Sequence, residues 1–261
     1  MSLVSHYKFE NDYADSVGSN TLSAAGSGNS FSTALKNRGA YSLQMDGSGW
    51  AIKTGQTGFG SGNIDLSFGG WGYFTTGSRI ETIGGFGVNS AINSSCIWSL
   101  KLSATSIRID LASDALAYTV PSISDTTWYW WWVQYTASTK TSDLYLNNTQ
   151  SSSGAQTHST NLNLNATTDI NVAVDPDGSN SIIGNVDDWR AYNSVTTAAE
   201  RLGIYVESSA SVLLNMLHLV KEGSSPMYLN GLLPDKWVYS GGLYTRPAIN
   251  IRQLERASAG G

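Results

Sequence analysis

Short runs in which apolar and polar residues alternate, separated by turns rich in Gly, Ser and Asn, fill residues 2 to about 207. Tyr41-Ser42-Leu43-Gln44-Met45 alternates as a half-buried strand does. Asp46-Gly47-Ser48-Gly49 has turn chemistry, and Trp50-Ala51-Ile52 resumes the strand pattern. Residues 64–74, 79–86, 97–102 and 106–111 read as further strands, whereas the Ser/Gly/Asn-rich residues 19–37 read as a long loop. The densest run is Trp128-Tyr129-Trp130-Trp131-Trp132-Val133-Gln134-Tyr135. A strand period of two puts Trp130, Trp132 and Gln134 on one face and Trp131, Val133 and Tyr135 on the other. Residues 196–207 read as a short helix with Ser194 or Thr196 near its cap. Many short strands and almost no helix predict an all-β, two-sheet antiparallel sandwich.

The pattern changes at residue 208. Val212, Leu213, Met216, Leu217 and Val220 have helical spacing, and Gly223-Ser224-Ser225-Pro226 stops it. The remainder, through Trp237, Tyr244 and Ile249, is apolar but irregular. Such a segment is too aromatic for a disordered linker and too short for a core of its own. Residues 208–261 are therefore expected to be a C-terminal extension that docks or assembles, with Leu213, Leu217, Trp237 and Tyr244 making the contacts.

Composition narrows the class. Hydrophobic residues make up 41% and charged residues only 13%, against about 25% charged in ordinary domains. Net charge is −5, and no Lys/Arg run offers a phosphate-tracking surface, so a nucleic-acid partner is not expected. No stretch approaches the roughly 20 apolar residues of a membrane-spanning helix. Cys96 is the one cysteine, which excludes an internal disulfide and is read as a small buried hydrophobe. The strand pattern begins at Leu3, which leads to the expectation that the protein is made and folded in a cytoplasm.

The first and last strands of this series carry a resemblance. Leu3-Val4-Ser5-His6-Tyr7-Lys8-Phe9, followed by Asp15-Ser16-Val17-Gly18, is similar to the opening of laminin-G-like, concanavalin A-like lectin/glucanase jelly rolls. Val186-Asp187-Asp188-Trp189-Arg190-Ala191-Tyr192-Asn193 resembles their closing strand. Residues 128–135 followed by Leu144-Tyr145-Leu146-Asn147 resemble a central hairpin of the same family, with Trp130 where it usually has His. Trp189 is a second departure. The resemblance implies a jelly-roll domain over residues 2–207 and points Trp131, Val133 and Tyr135 inward. Asp187 matches a recurrent carboxylate of the closing strand and is expected to brace a neighbouring loop.

Catalysis does not emerge from this pattern. A retaining glycosidase needs two carboxyl groups about 5–5.5 Å apart, and Glu81 is the only acid in its strand. Asp175 and Asp177 flank Pro176 in a turn, and Asp187 and Asp188, being adjacent, should face opposite sides of a sheet. No Gly-x-Ser-x-Gly elbow occurs, and no enzyme is expected. Asp175 and Asp177 are the weak candidates for a calcium ion, with turn geometry as the competing reason for them; no other cofactor is expected.

Trp130 and Trp132, with Gln134, are the candidate contact surface. Two Trp on the second face of a strand form a sugar-stacking platform, meet a partner subunit, or are covered by another part of the chain. Two functions follow. One is a structural protein of a bacteriophage virion, a head decoration (cement) protein or tail-fibre component. It would display the sandwich outward and use residues 208–261 to bind other virion proteins or copies of itself, as a trimer by analogy. The other is an extracellular carbohydrate-binding adhesin or lectin module that recognises cell-surface polysaccharide.

Overall fold

The computed structural model of the chain describes residues 2–75, 79–88, 93–208, 238–240 and 243–245. Two units are present, Met1–Ala210 and Ser211–Gly261. In the first, the described residues run through β1 (Leu3–Tyr7), β2 (Ser23–Gly26), β3 (Asn29–Ser32), β4 (Ser42–Asp46), β5 (Gly49–Lys53), β6 (Leu66–Phe74), β7 (Glu81–Gly87) and β8 (Ile97–Ser103). They continue through β9 (Ser106–Leu111), β10 (Asp114–Thr119), β11 (Trp128–Thr136), β12 (Thr141–Leu146), β13 (Thr149–Gln150), β14 (Gln156–Thr157), β15 (Asp169–Val172), β16 (Ile183–Tyr192) and α1 (Ala198–Ser208).

These strands form a jelly-roll sandwich of two antiparallel sheets. The front sheet has the order β13-β12-β11-β6-β16-β4-β3, with β1 also on β16 and β14 on β12. The back sheet has the order β10-β9-β8-β7-β15-β5-β2. β16 lies at the centre of the front sheet. One edge pairs with β6, while the other pairs first with β4, over Ile183 to Val186, and then with β1, over Trp189 to Tyr192. The register breaks between these partners, at Asp187 and Asp188.

The core lies between the sheets. Trp131, Val133 and Tyr135 point into it from β11, as do Val186, Trp189 and Ala191 from β16. Ile83, Phe86, Ile107 and Ile109 face them from the back sheet. Trp189, unusual for the family resemblance, is fully buried at the centre and stacks on Tyr7 with ring centroids 5.7 Å apart.

Residues 19–37 depart from the loop expected of them. They hold β2, which pairs with β5 in the back sheet, and β3, which pairs with β4 in the front sheet. Ser, Ala and Gly have little strand propensity of their own, so these strands are made by their partners. The chain changes sheets at Ser27-Gly28. Gly28 takes φ 81°, and a Cβ there would meet Asp46 Oδ1 at 2.0 Å, so glycine is required.

α1 starts at a capping box. Thr197 Oγ1 accepts the amide of Glu200, and Glu200 Oε2 accepts the amide of Thr197 at 2.7 Å. The cap is thus Thr197, neither Ser194 nor Thr196. Arg201, Ile204 and Tyr205 lie on one helical face, which is turned toward the sheet, while Leu202 is exposed.

The described part of the second unit is a hairpin of β17 (Val238–Ser240) and β18 (Leu243–Thr245), in which Tyr239 pairs with Tyr244. Of the expected assembly residues, Tyr244 lies in this hairpin, and Leu213, Leu217 and Trp237 lie outside the described residues. Among the described residues no helix is long and apolar enough to cross a membrane.

Candidate binding site

Trp130 and Trp132 stand on the outer face of the front sheet, as the period-two pattern requires, but they are not open to a ligand. Their rings stack in parallel, 7° apart with centroids at 5.2 Å, and both are buried. α1 covers them. Ile204 packs on this cluster together with Trp71, Tyr145 and Tyr192, and Tyr205 stacks on Trp71 at 5.8 Å. Polar groups fix the cover in place. Trp132 Nε1 donates to Thr196 Oγ1 at 3.1 Å, and Gln134 Nε2 donates to the Thr196 carbonyl at 2.5 Å. Arg201 lies over the Tyr145 ring at 3.6 Å. Of the three roles open to these tryptophans, cover by the chain itself is the one the structure displays.

Among the described residues α1 does not reach the other end of this face. There, cross-strand pairing sets Ser30 of β3 opposite Gln44 of β4, Gln44 opposite Asn185 of β16, Asn185 opposite Tyr73 of β6, and Tyr73 opposite Trp128 of β11. Directly paired residues share a face, so these five side chains form one row across five strands. Tyr73 and Trp128 are each half-buried, with ring centroids 5.4 Å apart. A cavity of about 440 Å³ opens at the other half of the row, lined by Ser30, Gln44 and Asn185 together with Asn29, Leu35 and Asp46. Gly184, also in its wall, takes φ 154°, and a Cβ there would lie 1.8 Å from the Tyr73 carbonyl oxygen.

Asn185 carries the unusual feature of this site. Its Nδ2 donates to Ser42 Oγ at 2.9 Å and toward the Leu35 carbonyl at 3.4 Å. Ser42 donates its own proton to Leu35, so both neighbours accept from the amide in this orientation. Its Oδ1 is left buried without a hydrogen-bond partner. A buried acceptor left unmatched costs about 1–3 kcal/mol, which a hydroxyl donor in the cavity would relieve. Asn29 Oδ1 is likewise unmatched, but it lies against Gly49, where a Cβ would be 1.9 Å away. Alternation along the sequence marks Gln44 and Trp128 as outward-facing, whereas Ser30 falls in the expected loop. Their adjacency depends on strand pairing, which the sequence does not display.

The register break in β16 holds the main charge cluster. Asp188 takes φ 48°, and the bulge resets the alternation, so Asp187 and Asp188 gather on one side of the sheet around Arg38, where adjacent residues were expected on opposite sides. Asp188 binds His6 Nε2 and Arg190, the latter at 3.0 Å, and Arg190 reaches on to Glu207 of α1 at 3.0 Å. Burial alone would raise the Asp188 carboxyl, but the His6 hydrogen bond and the Arg190 charge hold it below the usual range. Asp187 Oδ2 accepts the amides of Asn37 and Arg38, bracing the loop that carries Leu35. Burial nonetheless pushes the Asp187 carboxyl up to about 7.

Asp187 accordingly predicts a pH effect. Its folded-state pKa lies above the unfolded value of about 3.9, so ionisation in the folded state is penalised and stability is lost as pH rises between the two. Asp187→Asn keeps an oxygen for the two amides and removes the penalty. The variant's advantage over the parent is expected to grow from pH 5 to pH 7, by roughly 2 kcal/mol in all, and to level off above that. Urea unfolding of both proteins at four pH values measures it. A gap that does not change with pH means that Asp187 is already ionised at pH 5.

Other candidate groups are engaged in structure. Asp175 and Asp177 do meet in one turn, where Asp175 accepts the Ser179 amide at 2.8 Å and Asp177 accepts it at 2.9 Å. The oxygens that calcium would need thus already take protein hydrogen bonds, and among the described residues no three His, Cys, Asp or Glu side chains converge as a metal centre. Ser142, His158 and Asp114 line up, with Ser142 Oγ 2.7 Å from His158 Nε2 and His158 Nδ1 3.6 Å from Asp114. Ser142 is fully buried and also meets the Tyr118 hydroxyl at 2.7 Å, so this line ties strands together and offers no path to a substrate. Burial lowers the His158 pKa, against the pull of Asp114.

No family model matches the chain, and no curated protein matches it in sequence. Solved structures do resemble it. Domain 4 of an extracellular arabinanase from Geobacillus stearothermophilus, in complex with arabinotriose, superposes with a TM-score of 0.59 at 15% identity, covering 78% of this chain and 98% of that one. The botulinum neurotoxin serotype D ligand-binding domain, in complex with N-acetylneuraminic acid, gives 0.55 at 12% identity, over 79% of this chain and 51% of that one. A Trypanosoma rangeli sialidase gives 0.58 at 12% identity, over 81% of this chain and 33% of that one. At these identities the likeness is one of fold.

Proposed function

We propose that this chain is a non-catalytic, lectin-like carbohydrate-binding module whose site is the end of the front sheet that α1 does not reach. The observation that carries this reading is the row from Gln44 through Asn185 and Tyr73 to Trp128, beside a cavity with an unmatched buried acceptor. Sugars present apolar ring faces and hydroxyl donors together, which is what half-buried aromatic rings and an amide oxygen receive. Two of the structures of like fold are an arabinanase domain with arabinotriose and a neurotoxin domain with N-acetylneuraminic acid, which supports the class of ligand. On a virion surface the same module would recognise host polysaccharide.

Screening the purified protein against a glycan array identifies the ligand, and Trp128→Ala tests the site. Trp128 is half-buried at a strand start, so its loss is expected to leave the fold intact and to weaken glycan binding about 30-fold, or about 2 kcal/mol. Parent-like affinity in Trp128→Ala, or no glycan bound by the parent, removes this reading.

A further inference from the structure

We infer that the site takes an uncharged glycan chain bound part-way along its length and lying across the strands, with one hydroxyl donating to Asn185 Oδ1. This rests on the binding reading above and specifies its ligand. Each member of the row is the direct partner of the next, so the row runs perpendicular to the strands. At about 4.8 Å per strand it spans roughly 19 Å from Ser30 to Trp128. Hydrogen-bonding groups occupy one half and aromatic rings the other, and a monosaccharide cannot reach both.

Both ends are open. β3 is the last strand of the front sheet on its side. Beyond Trp128, β12 supplies no paired strand, because its last bonds to β11 join Asn147 to Trp130. A chain can therefore run off either end, which a pocket for a terminal sugar does not allow. The charge preference follows from the carboxylate that stands beside the acceptor. An unmatched amide oxygen calls for a donor, which a carboxylate, sulfate or phosphate is not. Asp46, in the same cavity wall, is held ionised by hydrogen bonds from the Ser48 hydroxyl and amide, and it repels anions further. Arg79 is the nearby cation, its Nη1 3.1 Å from where a Gly47 Cβ would stand.

Isothermal titration of the full chain with arabino-, xylo-, cello- and malto-oligosaccharides, from monosaccharide to hexasaccharide, and with oligogalacturonides, tests this. In one neutral series affinity is expected to rise at least about tenfold from mono- to tetrasaccharide and then to plateau. Chains with a reduced end should bind as well as free ones, and oligogalacturonides should bind more weakly. Asn185→Ala should lose about tenfold on the tetrasaccharide. Gln44→Ala, at an exposed position where folding is not at stake, should lose several-fold. A monosaccharide or a uronate as tight as the neutral tetrasaccharide, or parent-like affinity in Gln44→Ala, overturns the inference and leaves the lectin reading standing. If no series binds, the inference falls, and the glycan array decides the lectin reading.

Discussion

Asp188→Ala is expected to lower the stability of the sandwich by about 3–5 kcal/mol. The carboxylate is almost fully buried, and so are the two groups it holds, His6 and Arg190. Without it Arg190 keeps Tyr192 and Glu207, the latter exposed on α1. The guanidinium would then be buried with half its partners gone, and desolvation of a charge is costly when it is unpaired. Backbone geometry adds to this cost, since Asp188 sits at φ 48°, a region that aspartate tolerates better than alanine. Position makes the effect global. The bulge lies where β16 changes partners from β4 to β1, and Asp188 bonds to Arg38 on one side and His6 on the other. Urea unfolding at pH 7 measures the loss. The Asp188 pKa is lowered on folding, so its contribution is present above about pH 4 and disappears as pH falls through the folded value. The deficit of the variant should therefore shrink as pH falls below about 4. A loss under about 1 kcal/mol at pH 7 means that packing alone holds the bulge.

That cluster also marks how far the sequence could be read. The closing strand was legible from Val186 to Asn193, and so was the bracing role of Asp187, because both rest on local order along one strand. The bulge was not, since a register break shows only against a partner strand. The same division runs through the binding face. Period-two alternation in residues 128–135 separated Trp131, Val133 and Tyr135, which are in the core, from Trp130 and Trp132, which are not. Alternation could not say what lies over the outer pair. A helix was expected over residues 196–207 and runs from Ala198 to Ser208, but Ile204 and Tyr205 make too small an apolar face to announce what it covers. Thr197 and Glu200 have the spacing of a capping box, a signal missed in placing the cap near Ser194 or Thr196. β2 and β3 left no trace because their Ser, Ala and Gly become strands only through β5 and β4. The row from Gln44 to Trp128 joins residues from four strands far apart in the chain, and only the pairing assembles it.

Trp132→Ala separates the covered part of this face from the open part. If α1 is a fixed cover, Trp132 acts as a core residue. It is fully buried, stacked on Trp130, and bonded through Nε1 to Thr196 just before the helix cap. Truncating a buried Trp costs about 3–5 kcal/mol, and for a domain of this size the melting temperature should fall by roughly 6–20 °C. Glycan affinity, measured well below the transition, should stay at the parent value because no sugar touches this ring. Trp128→Ala should do the reverse, with binding lost and the melting temperature nearly unchanged. The two residues are four apart on one strand and point to the same side, so strand position and chemistry are matched and the difference between them is α1. The opposite outcome, in which Trp132→Ala abolishes binding while the melting temperature holds, would show that the helix lifts to expose the stacked pair, and the site would then have to be moved beneath it.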